Sequence, residues 1–129
     1  MNHNNLKNYT PEKPLKIKDI KNWFEIAIPE PTIEQACIQI GCHYEEVAEM
    51  GDALLDGADQ IELVAREYKR KNAFAMLSTI NAIENKQTRI ELLDSLCDQI
   101  VTAIGVAHML GMDIEGALEE VNRSNHSKF

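Results

Sequence analysis

Glu91-Leu92-Leu93-Asp94-Ser95-Leu96-Cys97-Asp98-Gln99-Ile100, continued by Val101-Thr102-Ala103-Ile104-Gly105-Val106-Ala107, repeats with a helical period. At about 100° per residue Glu91, Asp94 and Asp98 fall inside a stripe roughly 60° wide, and Leu92, Leu93, Leu96, Ile100, Ala103, Ile104 and Ala107 occupy the opposite side. The pattern predicts an amphipathic helix from about Arg89 to Leu110, ended by Gly111. Working outward in both directions, the same period returns. Ile33, Cys37, Ile40, Tyr44 and Val47 form a stripe capped by Thr32, with Gly51 or Gly57 as its breaker. Leu54, Ala58, Ile61, Ala65 and Tyr68 form another, ending in the basic run Arg66 to Lys71, the sign a helix C-terminus favours. The run reads most simply as a solvated helix end, with a phosphate clamp as the lesser alternative.

A fourth helix is expected over Ala73 to Glu84, followed by a polar loop Asn85-Lys86-Gln87-Thr88, and a short last one after the cap Asp113 to about Val121. Near the start, Lys18 to Ile28 carries Trp23 and Phe24 and stops at Pro29-Glu30-Pro31, where two prolines enforce extended backbone. Residues 1–14 are polar, with Pro11 and Pro14, and read as a flexible arm, leaving 15–129 as one all-α domain. The expected fold is a helical bundle of about five helices whose four-helix core is completed by oligomerisation. Nearly every helix has an apolar stripe, and pairing chains is a common way to cover one.

The 129 residues carry a formal net charge of -8, which disfavours a nucleic-acid polymer as partner because phosphate backbones are bound by basic patches. No stretch approaches the length of a membrane span, and Met1-Asn2-His3-Asn4-Asn5 lacks a signal-peptide apolar region, so a cytoplasmic location is expected. Cys37, Cys42 and Cys97 form no C-x-x-C pair and read as reduced, inert core thiols. Trp23 and Phe24 read as core, and His43 and His108 as helix-flank residues.

The acidic residues are distributed unevenly. Between Asn22 and Ala65 there are ten Asp and Glu and no Lys or Arg, and between Ile90 and Asn122 seven and none. Within these windows lie Glu45-Glu46-Val47-Ala48-Glu49 and the Glu91, Asp94, Asp98 stripe. Like charges three or four apart on a helix cost about 0.2–0.5 kcal/mol per pair, and a solvated acidic face ordinarily interleaves Lys or Arg. An exposed Glu-rich helix accounts for one such cluster as well as a metal site does. Two clusters favour an external cation, and oxygen-only ligands suit Mg²⁺ or Mn²⁺. No Glu-x-x-His occurs, which disfavours a ferritin-like di-iron bundle.

Glu45-Glu46-Val47-Ala48-Glu49 followed by Glu91-Leu92-Leu93-Asp94 on a later helix resembles the motif order of the all-α nucleoside triphosphate pyrophosphohydrolase superfamily. This group contains the MazG-like proteins, dimeric dUTPase and phosphoribosyl-ATP pyrophosphohydrolase. The stretch from Ile104 to Asp113 and the ending Glu120-Val121-Asn122-Arg123-Ser124-Asn125-His126-Ser127-Lys128-Phe129 are similar to small phage and bacterial MazG-like proteins. Two departures stand out. The spacer between the clusters, residues 50–90, is longer than the family's, and the second cluster offers two registers, Glu91 with Asp94 or Asp94 with Asp98.

The resemblance implies hydrolysis of a nucleotide between its α and β phosphates, in the service of nucleotide-pool house-cleaning. Glu46, Glu49, Glu91, Asp94 and Asp98 would hold Mg²⁺ or Mn²⁺, Glu45 would activate water, and Arg123, Asn125 and Lys128 would reach substrate in a homodimer or homotetramer. A dedicated dUTP, dCTP or phosphoribosyl-ATP pyrophosphatase, and a non-enzymatic acidic helical interaction module, are the alternatives.

Overall fold

The computed structural model describes residues 17–54 and 58–127, and these fold into helices joined by short connections. Six are described: α1 (Ile17–Ala27), α2 (Ile33–Ala53), α3 (Asp59–Lys69), α4 (Ala73–Glu84), α5 (Lys86–Met109) and α6 (Ile114–His126). The all-α expectation of about five helices is met, and each of the six corresponds to a segment whose sequence reads as helical. The arm expected over residues 1–14 lies outside the described residues.

Local chemistry sets the helix ends. Thr32 and Gln35 form a reciprocal capping box: the Thr32 Oγ1 accepts from the Gln35 amide at 3.1 Å, and the Gln35 Oε1 accepts from the Thr32 amide at 2.9 Å. Asn72 caps α4 through the Ala75 amide at 2.8 Å, and Asp113 caps α6 through the Gly116 amide at 3.0 Å. Gly111, at φ 69°, closes α5, its amide reaching the His108 carbonyl at 3.1 Å while Met112 reaches Ala107 at 2.8 Å. The same pair of bonds closes α3, from Lys71 to Tyr68 and from Asn72 to Glu67, but there the left-handed residue is Lys71, at φ 55°.

Four boundaries differ from the sequence reading. Gly51 lies inside α2, which ends at Ala53, and Gly57 lies outside the described residues. Leu54 closes α2 instead of opening α3, donating its amide to Met50 and Gly51. The expected loop Asn85 to Thr88 shrinks to Asn85 alone, because its Oδ1 accepts from the Thr88 amide at 2.9 Å and starts α5 at once. Finally, α6 runs to His126, five residues past the expected Val121.

The described residues divide into two compact units, one from those within 30–102 and the other from those before residue 30 together with those after residue 102. In the second, α1 packs on α6, and the His126 Nε2 donates to the Asp19 carbonyl at 3.2 Å. In the first, α2 and α3 form an antiparallel hairpin and α4 packs on both. The hairpin closes on small residues. Cys37 and Ala48 of α2 and Ala65 of α3 are buried, and Gly41 lies where the α2 backbone passes close to Ala65 and Lys69 of α3. The Cys37 thiol donates to the Tyr68 carbonyl at 3.2 Å, and the Tyr68 hydroxyl donates to Ser78 at 2.9 Å, tying α4 to the hairpin.

Among the described residues the buried apolar side chains are all small: Cys37, Ala48, Ala58, Ala65, Ala75 and Ala107. α5 departs furthest from expectation, since every residue from Arg89 to Ile104 is exposed, including Leu92, Leu93, Leu96, Ile100, Ala103 and Ile104 of the anticipated apolar side, whereas Ala107 of that side is buried. The thiols divide as well: Cys37 is buried as expected, Cys42 is half-buried, and Cys97 is exposed on α5. Trp23 meets Phe24 edge-on at 5.0 Å, with Trp23 half-buried and Phe24 exposed.

Candidate functional site

The α2–α3 hairpin opens into a groove of about 550 Å³ lined by Glu45, Ala48, Glu49 and Asp52 from α2 and by Glu62, Ala65, Arg66, Lys69 and Arg70 from α3. Its floor is Ala48 and Ala65, two methyl groups that let the helices approach and leave room for longer side chains at the rim. The helical period assigns the rest. On α2, residues 45, 49 and 52 recur at four and three; on α3, residues 62, 66, 69 and 70 do the same. One wall is therefore acidic, and the other carries Glu62 followed by three cations.

Two walls of opposite sign meet at one point. The Lys69 Nζ donates to the Glu45 Oε2 at 2.5 Å. This corrects the expectation that the first cluster finds no cation within the chain. Glu45 has one 24 positions away, beyond any helical neighbour, delivered by the turn of the hairpin. The pairing holds the Lys69 ammonium above its ordinary range, first through the hydrogen bond from Lys69 to Glu45 and then through their charges.

Glu46 and Glu49 have no Lys or Arg within ion-pair distance among the described residues. The Glu49 carboxyl is held above the usual carboxylate range, chiefly by the charge of Glu46, with further contributions from burial, a hydrogen bond to Glu46, and the charges of Glu45 and Asp52. The crowding of like charge around Glu49 is the situation a hard divalent cation relieves.

The donor set fits Mg²⁺ or Mn²⁺ in kind. Among the described residues, no three of the His, Cys, Asp and Glu side chains are gathered as a ready-made metal cage.

The second acidic stripe lies elsewhere in the same unit. Glu91, Asp94 and Asp98 are exposed on α5, and Glu91 accepts from Gln87 one turn earlier at 3.1 Å. α5 meets α2 through the His43 Nε2, which donates to the Gln99 Oε1 at 2.5 Å. That bond gives His43 a bridging role which the helix-flank reading did not contain. The two clusters are not gathered into one ligand group.

Comparison with known proteins found no matching family model, no matching curated protein and no matching solved structure. The chemistry of the site therefore rests on its own residues.

Of the three expected substrate contacts, Arg123 pairs with Glu120 on its own helix, Asn125 is half-buried in the last turn of α6, and Lys128 lies outside the described residues. Sequence reasoning gave no role to Asp52 or Glu62 and took Arg66 to Lys71 first for a solvated helix end, with a phosphate clamp as the lesser alternative. The signal for Glu62 was its place on the same stripe as Arg66 and Lys69, four and seven residues on, which carries meaning only once α3 is known to fold against α2.

Proposed function

We propose that this chain is a metal-dependent nucleotide pyrophosphohydrolase, cleaving a nucleoside triphosphate between its α and β phosphates to a monophosphate and pyrophosphate. The observation that carries the reading is Glu49. It is a carboxylate crowded by Glu46, Glu45 and Asp52 in a concave groove, whose raised pKa marks charge that the chain does not itself neutralise. The order of acidic motifs, similar to that of MazG-like proteins, supports the same reaction.

In this reading Glu46 and Glu49 hold Mg²⁺ or Mn²⁺. The bound ion would polarise the α-phosphorus and lower the pKa of an attacking water. Glu45 positions that water: its Oε2 is engaged by Lys69, leaving Oε1 as the atom that takes the proton. Glu91, Asp94 and Asp98 are the second ligand set implied by the motif order, while Asp52 and Glu62 are the set the groove itself offers. Comparing Asp94→Asn with Glu62→Gln assigns the role. Loss of metal-dependent activity in one and retention in the other names the ligand.

A homodimer belongs to the proposal. α5 exposes Ile90, Leu93, Ile100, Val101 and Ile104 by about half or more, a run that water covers poorly and a second copy covers well. Among the described residues no helix is long and apolar enough to cross a membrane.

The deciding experiment is a panel of nucleoside triphosphates with Mg²⁺, following pyrophosphate. Release that vanishes with chelator and returns with metal supports the mechanism. Orthophosphate release, or activity indifferent to chelator, refutes it. The second reading, an acidic module binding a basic protein, is favoured if Glu49→Gln weakens partner binding only gradually while no nucleotide is turned over.

A further inference from the structure

The groove's second wall suggests what the occupant carries besides a cation. Arg66, Lys69 and Arg70 lie at i, i+3 and i+4 on α3, so three like charges share one face, an arrangement that costs helix stability unless an anion relieves it. Lys69 has its anion in Glu45. Arg66 and Arg70 line the same groove and have no carboxylate within ion-pair distance among the described residues. Two unpaired guanidiniums one helical turn apart therefore face the cavity opposite Glu45, Glu49 and Asp52.

We infer that Arg66 and Arg70 form the grip for a chain of two or more phosphates that enters the groove as its divalent-metal complex. The charges select this occupant. A simple anion such as a carboxylate would meet Arg66 and Arg70 but also four repelling carboxylates, Glu45, Glu49, Asp52 and Glu62. A simple cation would meet the reverse. A metal–polyphosphate presents its cation to α2 and its oxygens to α3, satisfying both walls at once. Guanidinium is the fitting donor on the second wall, since its planar fork engages phosphate oxygens in pairs, and two forks a turn apart match successive phosphates better than one.

The inference deepens the hydrolase reading, because it replaces Arg123, Asn125 and Lys128 with α3 as the phosphate contact. It does not require that the bond be cleaved.

Calorimetric titration with inorganic pyrophosphate and with orthophosphate, each with and without Mg²⁺, tests the site without involving turnover. Pyrophosphate with Mg²⁺ should bind the wild-type chain more tightly than orthophosphate. Arg66→Gln and Arg70→Gln should each weaken it about tenfold or more, whereas Lys71→Gln, a neighbouring cation outside the groove, should leave it within about twofold.

Equal loss in all three variants would reduce the effect to general surface charge and overturn the inference. So would unchanged affinity in both arginine variants, or loss confined to Arg123→Gln. Tight, arginine-dependent pyrophosphate binding in a chain that hydrolyses no nucleotide would keep the inference and discard the hydrolase reading. Far-ultraviolet circular dichroism of each variant confirms that helix content is retained.

Discussion

Gly41 sits so close to Lys69 that a Cβ added to it would lie 2.5 Å from the Lys69 Cγ and 2.8 Å from the Lys69 amide nitrogen, with the Ala65 carbonyl oxygen also at 2.8 Å. This approach fixes the crossing of α2 and α3, and through it places Lys69 on Glu45. Backbone atoms cannot step aside as a flexible side chain can. Gly41→Ala is therefore expected to destabilise the protein by about 1–3 kcal/mol, despite the better helix propensity of alanine. Gly105, inside α5, has nothing within 4 Å of its added Cβ. Gly105→Ala should instead stabilise by roughly 0.5–1 kcal/mol. Chemical denaturation of the pair measures both, and a neutral or stabilising Gly41→Ala would refute the close crossing.

Lys71 ends α3 in the left-handed region at φ 55°, where a side chain costs energy and glycine does not. Lys71→Gly should raise stability by up to about 1 kcal/mol, the reverse of what glycine does inside a helix. A lower midpoint in urea would contradict the backbone assignment.

Glu49 gives the acidic side of the stability curve a sign. Its carboxyl is held above 4.5, mainly by Glu46, so the folded chain keeps a proton that the unfolded chain has already released. The folded state then binds more protons in the window above 4.5, and the stability of the metal-free protein falls as pH rises through the elevated pKa. Glu49→Gln should remove that decline and abolish hydrolysis, with no loss of metal-free stability. Thermal unfolding between mildly acidic and neutral pH, in chelator, is the measurement.

Lys69 acts at the other end of the scale. Its ammonium is held above 10.5 by Glu45, so this contribution is complete below 10.5 and is lost as pH rises through the elevated value. Lys69→Met should make the alkaline limb shallower and leave the acidic one. An alkaline limb of unchanged steepness in the variant would mean that the ion pair does not form in solution.

α5 predicts the assembly. Leu93 and Val101 are 64% and 67% exposed on a helix whose every residue from Arg89 to Ile104 is open to solvent. Light scattering should give a dimer or tetramer, and Leu93→Asp with Val101→Asp should return it to a monomer, because a buried charge without a partner is strongly disfavoured. A wild-type monomer at micromolar concentration would contradict the dimer.

Helices and their caps were legible in the chain because they are local. Thr32 with Gln35, Asp113 with Gly116 and the left-handed Gly111 are interactions within a few residues, which a 3.6-residue period and capping chemistry recover without knowledge of the fold. Asn85 escaped because one asparagine can end one helix and begin the next, whereas four polar residues in a row look like a loop. The carboxylates Glu45, Glu46 and Glu49 were equally visible, as a spacing.

Their charge balance was not visible, because it depends on which helix returns against α2 and in what register. Only the tertiary structure decided that Lys69 would neutralise Glu45 and that Asp52, Glu62, Arg66 and Arg70 would share its groove. It also left the apolar side of α5 uncovered, although the same period in sequence reads as core. Amphipathicity specifies that a face prefers burial. Whether a face of the same chain lies close enough to bury it is a property of packing.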